Sequence, residues 1–469
     1  MRKTKIICTL GPAVDNDDMI KELISSGMDC ARFNFSHGTH EDQKVRMDRV
    51  RRISEEMNVP IPLLLDTKGP EIRLKDFENG FVMIKKGQLF TLDTDKDTLG
   101  DETRIGLTYD KLAKSVKEGT RILIDDGKID LRVAEIKGTK VICKVINGGK
   151  VSNHKSINVP NVDIPMPYLS EADKSDLLFG ISQNVEYVAA SFVRSGDDVK
   201  KLRKFLNDNG GKSIKIISKI ENGQGVINLD DIIELSDGIM VARGDLGVEI
   251  PFEKIPALQK QMIEKCNKAG KIVVTATQML ESMTENPRPT RAEVSDVANA
   301  IYDGTSVIML SGESAAGKYP AIAVKTMARI AANTELSIEY NKELGFADSM
   351  EHNVKTAVCA SAYNAAKYLD AKAIVVMTRS GATANILSYF HPECPIIAAT
   401  IDDAGLHQLN LVWGVTPIAA CDLDSTETFV EYAIEKAKES KIVKNGDKII
   451  VVCSSKLGGD NDIMRICTV

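Results

Sequence analysis

The chain has 469 residues, of which 43% are hydrophobic and 27% charged, and its net charge is −6. A single hydrophobic core stops growing at roughly 250–300 residues, so this length excludes a single small module and predicts two to four domains. The composition is typical of globular proteins and excludes a disordered or fibrous chain. The acidic balance argues against nucleic acid as the main partner.

The sequence carries no pattern typical of membrane or secreted proteins. No run of about 18 uncharged apolar residues occurs, and only a few residues precede the first apolar run at Ile6. We therefore expect a cytoplasmic protein without a membrane partner. The nine cysteines include no CxxC pair, which favours reduced, buried thiols over a disulfide framework or a zinc site.

The first 320 residues alternate between short β-branched runs and segments of helical period. The predicted strands are 5–9, 29–35, 62–66, 187–192, 214–220, 238–242, 271–276 and 306–310, and predicted helices include 17–26, 41–57, 197–209, 255–269 and 292–303. This alternation predicts an α/β fold, a (β/α)₈ TIM barrel. The interval between the third and fourth strands is far longer than the others, which predicts an inserted domain.

The insert and the C-terminal third have different patterns. Short alternating runs joined by Gly and Asp turns, at 81–84, 89–92, 121–124, 129–136 and 140–145, predict a small β-barrel or sandwich. A proline-rich segment at 159–167 leads from the insert back to the barrel, and such a stiff connection suits the hinge of a lid. Helices at 354–369, 382–389 and 426–440, with strands at 373–377, 396–400 and 448–452, predict a separate α/β domain. The predicted domains are the barrel (1–71 and 166–337), the lid (72–165) and a C-terminal α/β domain (338–469).

Polar residues follow six of the eight predicted barrel strands. Active sites of such barrels form at the carboxyl ends of the strands. Those ends carry the segments 32–38, 66–73, 219–222, 243–247, 275–278 and 311–314. We therefore expect their charged side chains to face one cavity.

Two carboxylates at these ends suit a divalent cation. Glu221 and Asp245 are hard oxygen donors on neighbouring strands, and water and a substrate phosphate could complete the shell of Mg²⁺ or Mn²⁺. The alternative is an ion pair with Lys219 or Arg243. Since Arg32 and Arg73 are expected at the same cavity, cations are in surplus, which favours phosphoryl chemistry.

Five segments resemble the sequence blocks of the pyruvate kinase family, in order and over essentially the whole chain. They are residues 66–73 (DTKGPEIR), 214–222 (IKIISKIEN), 240–247, 275–283 and 286–299. The resemblance implies a barrel interrupted by a lid and followed by a regulatory α/β domain. It implies transfer of a phosphoryl group from phosphoenolpyruvate to ADP, giving pyruvate and ATP, the last step of glycolysis. A homotetramer is also implied.

The resemblance assigns roles to the residues at the strand ends. Lys219 would stabilise the transferring group, and Arg32 would bind the substrate phosphate. Glu221 and Asp245 would hold Mg²⁺ or Mn²⁺. Backbone N–H groups of Gly244 and Asp245, if these residues open a helix, would bind the substrate carboxylate. Thr277 would help to deliver the proton to the enolate carbon.

A potassium site and a nucleotide site are implied in the same way. The potassium ligands would be Asn34, Ser36, Asp66 and Thr67. Ordinary turn and cap chemistry is the alternative for these residues. Glu71 favours potassium, because family members that dispense with the ion tend to carry lysine there. The nucleotide contacts would be Arg73, Lys155, Asn34 and His37, and Lys155 would arrive on closure of the lid.

A hydroxyl-rich turn in the last domain resembles the family's effector-phosphate loop. It contains Thr378, Arg379, Ser380, Gly381 and Thr383, and an ordinary capped turn is the alternative. The later loop 454–461 departs from the form common in members regulated by fructose 1,6-bisphosphate, so both the existence and the identity of a sugar-phosphate effector are open. Two other functions are also open: a magnesium-dependent barrel lyase acting on phosphoenolpyruvate or pyruvate, and a non-catalytic regulator that binds phosphorylated metabolites.

Overall fold

The structure is a computed structural model, and it describes residues 2–95, 99–338, 353–420, 425–439, 441–455 and 459–469. Eight parallel strands close into a barrel in which neighbours follow one another in chain order. We number them first to eighth: Lys5–Thr9, Cys30–Asn34, Leu63–Asp66, Tyr187–Ala190, Lys215–Ile220, Gly238–Ala242, Ile272–Ala276 and Val307–Leu310. The predicted TIM barrel is confirmed. The strands are buried along almost their whole length, as expected when helices cover a parallel sheet.

Helices surround the barrel, and several begin at side-chain caps that the sequence encodes. Thr39, Ser170 and Thr290 each form a capping box with an acidic residue three positions later. The α-helices are Asp17–Ser26, His40–Met57, Glu171–Ser182, Gly196–Asp208, Gly223–Ile227, Leu229–Leu235, Arg243–Glu249, Ile255–Lys268, Arg291–Tyr302, Gly312–Ala315 and Pro320–Glu335. Three short 3₁₀ helices are Pro12–Val14, Phe252–Lys254 and Glu281–Thr284.

The segment between the third and fourth barrel strands forms a β-structure with its own apolar core. Its seven-stranded sheet has the order Ile72–Arg73, Ser156–Asn158, Arg121–Ile124, Ile129–Lys137, Lys140–Asn147, Leu89–Asp93 and Arg104–Gly106. A second sheet pairs Gly149–Ser152 with Phe81–Ile84, and one helix spans Leu112–Ser115. Alternate residues of Ile129–Lys137 are buried at its start, which explains the period-2 pattern of this stretch.

The C-terminal residues form a five-stranded sheet with helices. The strand order is Val415–Ala419, Ile396–Thr400, Ala373–Met377, Lys448–Cys453 and Ile463–Thr468, and the last strand is antiparallel to its neighbour. The helices are Val354–Leu369, Ala382–Tyr389, Asp403–Leu409 and Thr426–Glu439. Separate apolar clusters cover the two faces of the sheet. Among the described helices, none combines the length and the hydropathy that crossing a bilayer requires.

Candidate active site

Lys219 lies at the centre of a buried polar cluster at the carboxyl ends of the third to fifth strands. Its Nζ is 3.0 Å from Asp66 Oδ1, 2.9 Å from Glu221 Oε1 and 2.7 Å from Ser191 Oγ. These strands are neighbours in the barrel, so their ends meet. The sequence prediction that these strand ends face one another therefore holds for Lys219, Glu221 and Asp66.

Asp66 joins Lys219 to a second buried cation, Arg32. Asp66 Oδ2 accepts a hydrogen bond of 2.6 Å from Arg32 Nε, and Arg32 also donates to Thr9 Oγ1 at 2.7 Å. Burial alone would raise the pKa of Asp66, but the charges of Arg32 and Lys219 outweigh it and lower this pKa. Burial likewise opposes the charged form of Lys219, yet Asp66 and Glu221 raise its pKa. Lys219 is therefore held charged in a site that is almost closed to solvent.

The protein stabilises the ionised forms of Glu221 and Asp245 only in part, as the raised pKa values of both groups show. Burial raises the pKa of Glu221 to about 7, against the effect of Lys219, and the neighbouring Asp245 adds to the increase. Burial also raises the pKa of Asp245, which is hydrogen-bonded to Glu221. Two carboxylates in this state suit a cation between them. In the described residues no cluster of three or more His, Cys, Asp or Glu is arranged for a metal, so water and substrate would supply its other ligands.

Thr277 occupies a strained position directly after the seventh strand. Its φ is 67°, a left-handed conformation that a β-branched residue rarely adopts. Thr277 Oγ1 accepts a hydrogen bond of 2.8 Å from the backbone N–H of Gly244 and donates one of 2.6 Å to the carbonyl of Ala276. Gly244 and Asp245 do open a helix, Arg243–Glu249, as the carboxylate-binding prediction requires. This backbone conformation places the Thr277 side chain against the start of this helix, where it accepts the hydrogen bond from Gly244.

The four residues predicted to bind potassium lie at the ends of the second and third strands. Asn34 and Asp66 are register partners. Asn34 Oδ1 accepts from the backbone N–H of Ser36 at 3.1 Å, and Thr67 Oγ1 accepts from that of Ser191 at 3.1 Å. The structure thus brings these oxygens to neighbouring strand ends, and it also shows the turn hydrogen bonds of the alternative interpretation.

A cleft of about 560 Å³ separates the inserted β-structure from the mouth of the barrel. Arg73 and Lys155 line it from the insert, and Asp245 lines it from the barrel, which connects the cleft to the buried cluster. Arg73 forms an ion pair of 2.6 Å with Glu71, and Lys155 one of 2.7 Å with Asp125. Of the predicted nucleotide contacts, Arg73 and Lys155 are therefore on the cleft.

The other two predicted nucleotide contacts are outside the lining of the cleft. His37 is exposed in the turn that follows the second strand, and its backbone N–H donates to the carbonyl of Asn34. Neither His37 nor Asn34 lines the cleft. The structure therefore does not bring these two residues together with Arg73 and Lys155.

Two residues of the cluster were missed from the sequence. Ser191 is buried and contacts Lys219, and its Oγ also donates to the carbonyl of Thr67 at 2.6 Å. Thr9 accepts the hydrogen bond from Arg32. Ser191 directly follows the fourth strand and Thr9 ends the first strand, and the ends of these two strands were not considered in the sequence analysis. The same strand-end signal would have found them.

The turn predicted to bind an effector phosphate lines a cavity of about 210 Å³ in the C-terminal domain. Thr378 and Thr383 are buried there, whereas Arg379 and Ser380 are exposed. Gly381 has a φ of 77°, which fits glycine at this sharp turn before the helix Ala382–Tyr389. Part of the later loop, residues 456–458, lies outside the described residues.

Comparisons with known proteins agree over the whole chain. Residues 1–324 match the family described as "Pyruvate kinase, barrel domain", and residues 356–467 match "Pyruvate kinase, alpha/beta domain". The chain is 46% identical to a pyruvate kinase of Clostridium acetobutylicum, with 99% of each chain covered, and 47% identical to one of Clostridium perfringens, with 98% covered. A crystal structure of a pyruvate kinase from Cryptosporidium parvum superposes with a TM-score of 0.95 and 41% identity, covering 100% of this chain and 96% of that one.

Proposed function

The chain belongs to the pyruvate kinase family, and from this premise we propose how its own residues transfer a phosphoryl group from phosphoenolpyruvate to ADP. The reaction gives pyruvate and ATP, so the enzyme is a phosphotransferase of glycolysis. One observation carries the residue assignments: Lys219 Nζ lies within 3.0 Å of both Asp66 and Glu221 at the barrel mouth. A fixed cation beside carboxylates that suit a metal is the arrangement that phosphoryl transfer needs.

Arg32 and Lys219 bind and stabilise the transferring phosphoryl group. In the reaction the bond between phosphorus and the enol oxygen breaks, and phosphorus bonds to a terminal oxygen of ADP. Negative charge spreads over the phosphoryl oxygens in between. Each of the two cations is only 8% exposed, and Asp66 anchors both. Their charges are therefore in place before the substrate arrives, in a site that admits little water.

Glu221 and Asp245 hold the divalent cation, Mg²⁺ or Mn²⁺. The support is their chemistry: two buried, hydrogen-bonded carboxyl groups whose pKa values are raised by burial and whose ionised forms a cation would stabilise. When bound, the metal supplies charge neutralisation to the phosphate and enolate oxygens. Glu221 also accepts the backbone N–H of Phe192 at 2.6 Å, which fixes its orientation.

Thr277 takes part in protonation of the enolate. The Thr277 hydroxyl relays a proton to the enolate carbon: it passes its own proton on through a bridging water and is reprotonated from solvent water. Pyruvate is formed and the threonine is left unchanged. This hydroxyl already donates to the carbonyl of Ala276, so it must turn away from that partner. The substrate carboxylate binds at Gly244 and Asp245. Since the Gly244 N–H donates to Thr277 Oγ1, carboxylate binding would release this oxygen for proton transfer.

Potassium binds at Asn34, Ser36, Asp66 and Thr67. The support is that these residues lie at the ends of two neighbouring strands, where Asn34 and Asp66 are register partners. Glu71 adds a negative charge near the cleft, where a lysine would supply a positive one. We propose that the enzyme needs K⁺ because this internal cation is absent.

ADP binds in the cleft of about 560 Å³, where its phosphates contact Arg73 and Lys155. Lys155 is paired with Asp125 at 2.7 Å, so nucleotide phosphates must replace this partner. The inserted domain acts as the lid that carries both cations toward the barrel. Contacts at Asn34 and His37 require the nucleotide to extend beyond the cleft to the turn after the second strand.

Regulation and assembly follow the family. The cavity at residues 378–383 binds a phosphorylated effector, supported by its buried hydroxyls and the exposed Arg379. The chain forms a homotetramer, acts in the cytoplasm, and has the domain boundaries given above. The homotetramer and the cytoplasmic location rest on the family likeness alone.

A coupled assay of ATP formation from ADP and phosphoenolpyruvate tests the proposal. We expect turnover that needs Mg²⁺ or Mn²⁺ and increases with K⁺. A barrel lyase would consume phosphoenolpyruvate without ADP, and a non-catalytic regulator would bind it without turnover. Either result would refute the assignment of the residues above.

A further inference from the structure

A second cleft lies at the opposite end of the barrel from the candidate active site. It has a volume of about 290 Å³ and separates the starts of the fourth to seventh strands from the C-terminal domain. Lys215, Asp237 and Lys271 line it from the barrel, and Ser380 and Asn385 line it from the C-terminal domain. No step of the proposed reaction uses these five residues.

We call this second cleft the floor cleft. Direct contacts between the barrel and the C-terminal domain fix the distance between its two walls. Tyr187 Oη donates to the carbonyl of Gln408 at 2.8 Å, and Gln408 Nε2 donates to the carbonyl of Ser213 at 2.9 Å. The ring of Tyr389 packs directly on Gly270, where a Cβ would stand 2.6 Å from a ring carbon. The floor cleft is therefore a gap between two surfaces that already contact each other, and a ligand would find it preformed.

The barrel wall of the floor cleft has a surplus of positive charge. Asp237 pairs with Arg203 at 2.8 Å and with Lys215 at 3.3 Å, so one carboxylate serves two cations. Lys271 Nζ donates to the carbonyl of Ser236 at 2.7 Å, and it has no carboxylate partner in the described part of the chain. Of these charged groups, Lys215, Lys271 and Asp237 line the floor cleft. Because Asp237 also serves Arg203, which lies outside the lining, the wall keeps an excess of positive charge.

The opposite wall supplies neutral donors. The side chains of Ser380 and Asn385 form no hydrogen bond within the described residues, although both line the floor cleft. Ile272 and Ile386 add apolar surface beside them. We propose that the floor cleft binds the phosphate monoester of a small metabolite, with the phosphate between Lys215 and Lys271. A monoester carries a charge of about −2, so its phosphate can bind both lysines.

The proposed ligand would share one wall with the proposed effector cavity. Ser380 and Ala382 line both, because the turn at Gly381 separates the two spaces. A ligand that fixes this turn from one side changes the affinity on the other by the same factor in both directions. This coupling rests on the proposed effector site, whereas binding in the floor cleft does not.

Isothermal titration calorimetry on the full chain tests the proposal with three probes: inorganic phosphate, ribose 5-phosphate and adenosine 5′-monophosphate. We expect at least one ester to bind more tightly than inorganic phosphate. In the proposed complex each lysine donates a charged hydrogen bond to the phosphate. Lys271→Met and Lys215→Met should therefore each weaken the binding of this ester about tenfold. Lys212→Met removes an exposed lysine outside the floor cleft and should leave it unchanged.

Binding at other phosphate sites is recognised by its dependence on other residues. Arg379→Met alters only the effector cavity, and a binding event lost in Arg379→Met but kept in Lys271→Met belongs there. The ATP-forming activity of Lys271→Met should remain near that of the unmodified chain, which verifies folding. The proposal is overturned if no ester binds, or if every binding event survives both Lys271→Met and Lys215→Met.

Discussion

Lys219 and Asp66 lie 3.0 Å apart, measured from Nζ to Oδ1, although 153 positions separate them in the chain. The other oxygen of Asp66 accepts the hydrogen bond from Arg32. One buried carboxylate therefore orients both cations that we assign to the phosphoryl group. Charges that are oriented before binding need no reorganisation in the transition state, so we expect their removal to affect the rate more than the affinity.

The first prediction concerns Lys219→Met. This variant should lose at least about 10²–10³-fold in kcat, because a preorganised charge at the transferring group is removed. It should still bind Mn²⁺, since the proposed ligands Glu221 and Asp245 remain. Steady-state kinetics and titration with Mn²⁺ followed by electron paramagnetic resonance measure the two quantities.

The matched control for this substitution is Lys212→Met, which removes the same charge from an exposed position. Its kcat and its affinity for Mn²⁺ should both equal those of the unmodified chain. Near-normal turnover in Lys219→Met would remove Lys219 from its assigned role. Loss of Mn²⁺ binding in the same variant would mean that Lys219 also organises the metal ligands.

The second prediction concerns pH and the metal. The folded-state pKa of Glu221 is raised to about 7, so the folded protein binds this proton more tightly than the unfolded chain does. Ionising Glu221 therefore lowers the free energy of unfolding as the pH rises from the ordinary glutamate pKa to about 7, and the full loss persists above pH 7. Mg²⁺ competes with the proton, so it should raise Tm more at pH 8 than at pH 6. Differential scanning calorimetry measures both effects.

Glu221→Gln serves as the control, because glutamine cannot ionise. In this variant Mg²⁺ should raise Tm by less than in the unmodified chain. The increase in Tm should also differ less between pH 6 and pH 8. An Mg²⁺-induced increase in Tm that is independent of pH in the unmodified chain would contradict the assignment of Glu221 as a ligand.

The sequence predicted the barrel well because its strands are buried on both faces. Such strands are short, nearly continuous apolar runs, and Lys5–Thr9 and Gly238–Ala242 have the predicted bounds. Edge strands gave weaker signals. Ile463–Thr468 has mostly exposed or half-buried residues, and Val415–Ala419 contains a proline, so neither reads as a buried run.

The placement of site residues was predictable where it follows from the position at a strand end. Lys219, Glu221 and Asp66 meet because parallel strands end at the same rim. The ion pair between Lys155 and Asp125 was not predictable, because it depends on the return path of two loops in the insert. The left-handed conformation of Thr277 was not predictable either, because threonine rarely adopts a positive φ.

The third prediction concerns the dependence on potassium. Glu71→Lys should keep most of its activity without K⁺, because the introduced ammonium group replaces the missing positive charge. Activity is measured against K⁺ concentration with tetramethylammonium chloride holding the ionic strength constant. Glu71 also pairs with Arg73 at 2.6 Å, so Glu71→Gln is the control for losing this pair alone, and it should still need K⁺. Full activity of Glu71→Lys only with added K⁺ would contradict the prediction.

The fourth prediction concerns Ser191, which holds Lys219 at 2.7 Å. Ser191→Ala removes one hydrogen bond to a buried charged group, so kcat should fall about tenfold. The KM for ADP should not change, because Ser191 is not part of the cleft lining. Ser191→Thr keeps the hydroxyl and should restore part of the rate. An unchanged kcat in Ser191→Ala would show that Asp66 and Glu221 position Lys219 without it.

The fifth prediction distinguishes a nucleotide contact from a surface ion pair. Lys155 and Lys128 both pair with Asp125, at 2.7 and 3.2 Å, but only Lys155 lines the cleft. Lys155→Met should raise the KM for ADP about tenfold, the effect of losing a charged hydrogen bond, and leave the KM for phosphoenolpyruvate unchanged. Lys128→Met removes the same charge from the same carboxylate and should change neither. Equal effects of the two substitutions would mean that Lys155 acts only through Asp125, and the nucleotide phosphates would then need another cation of the lid.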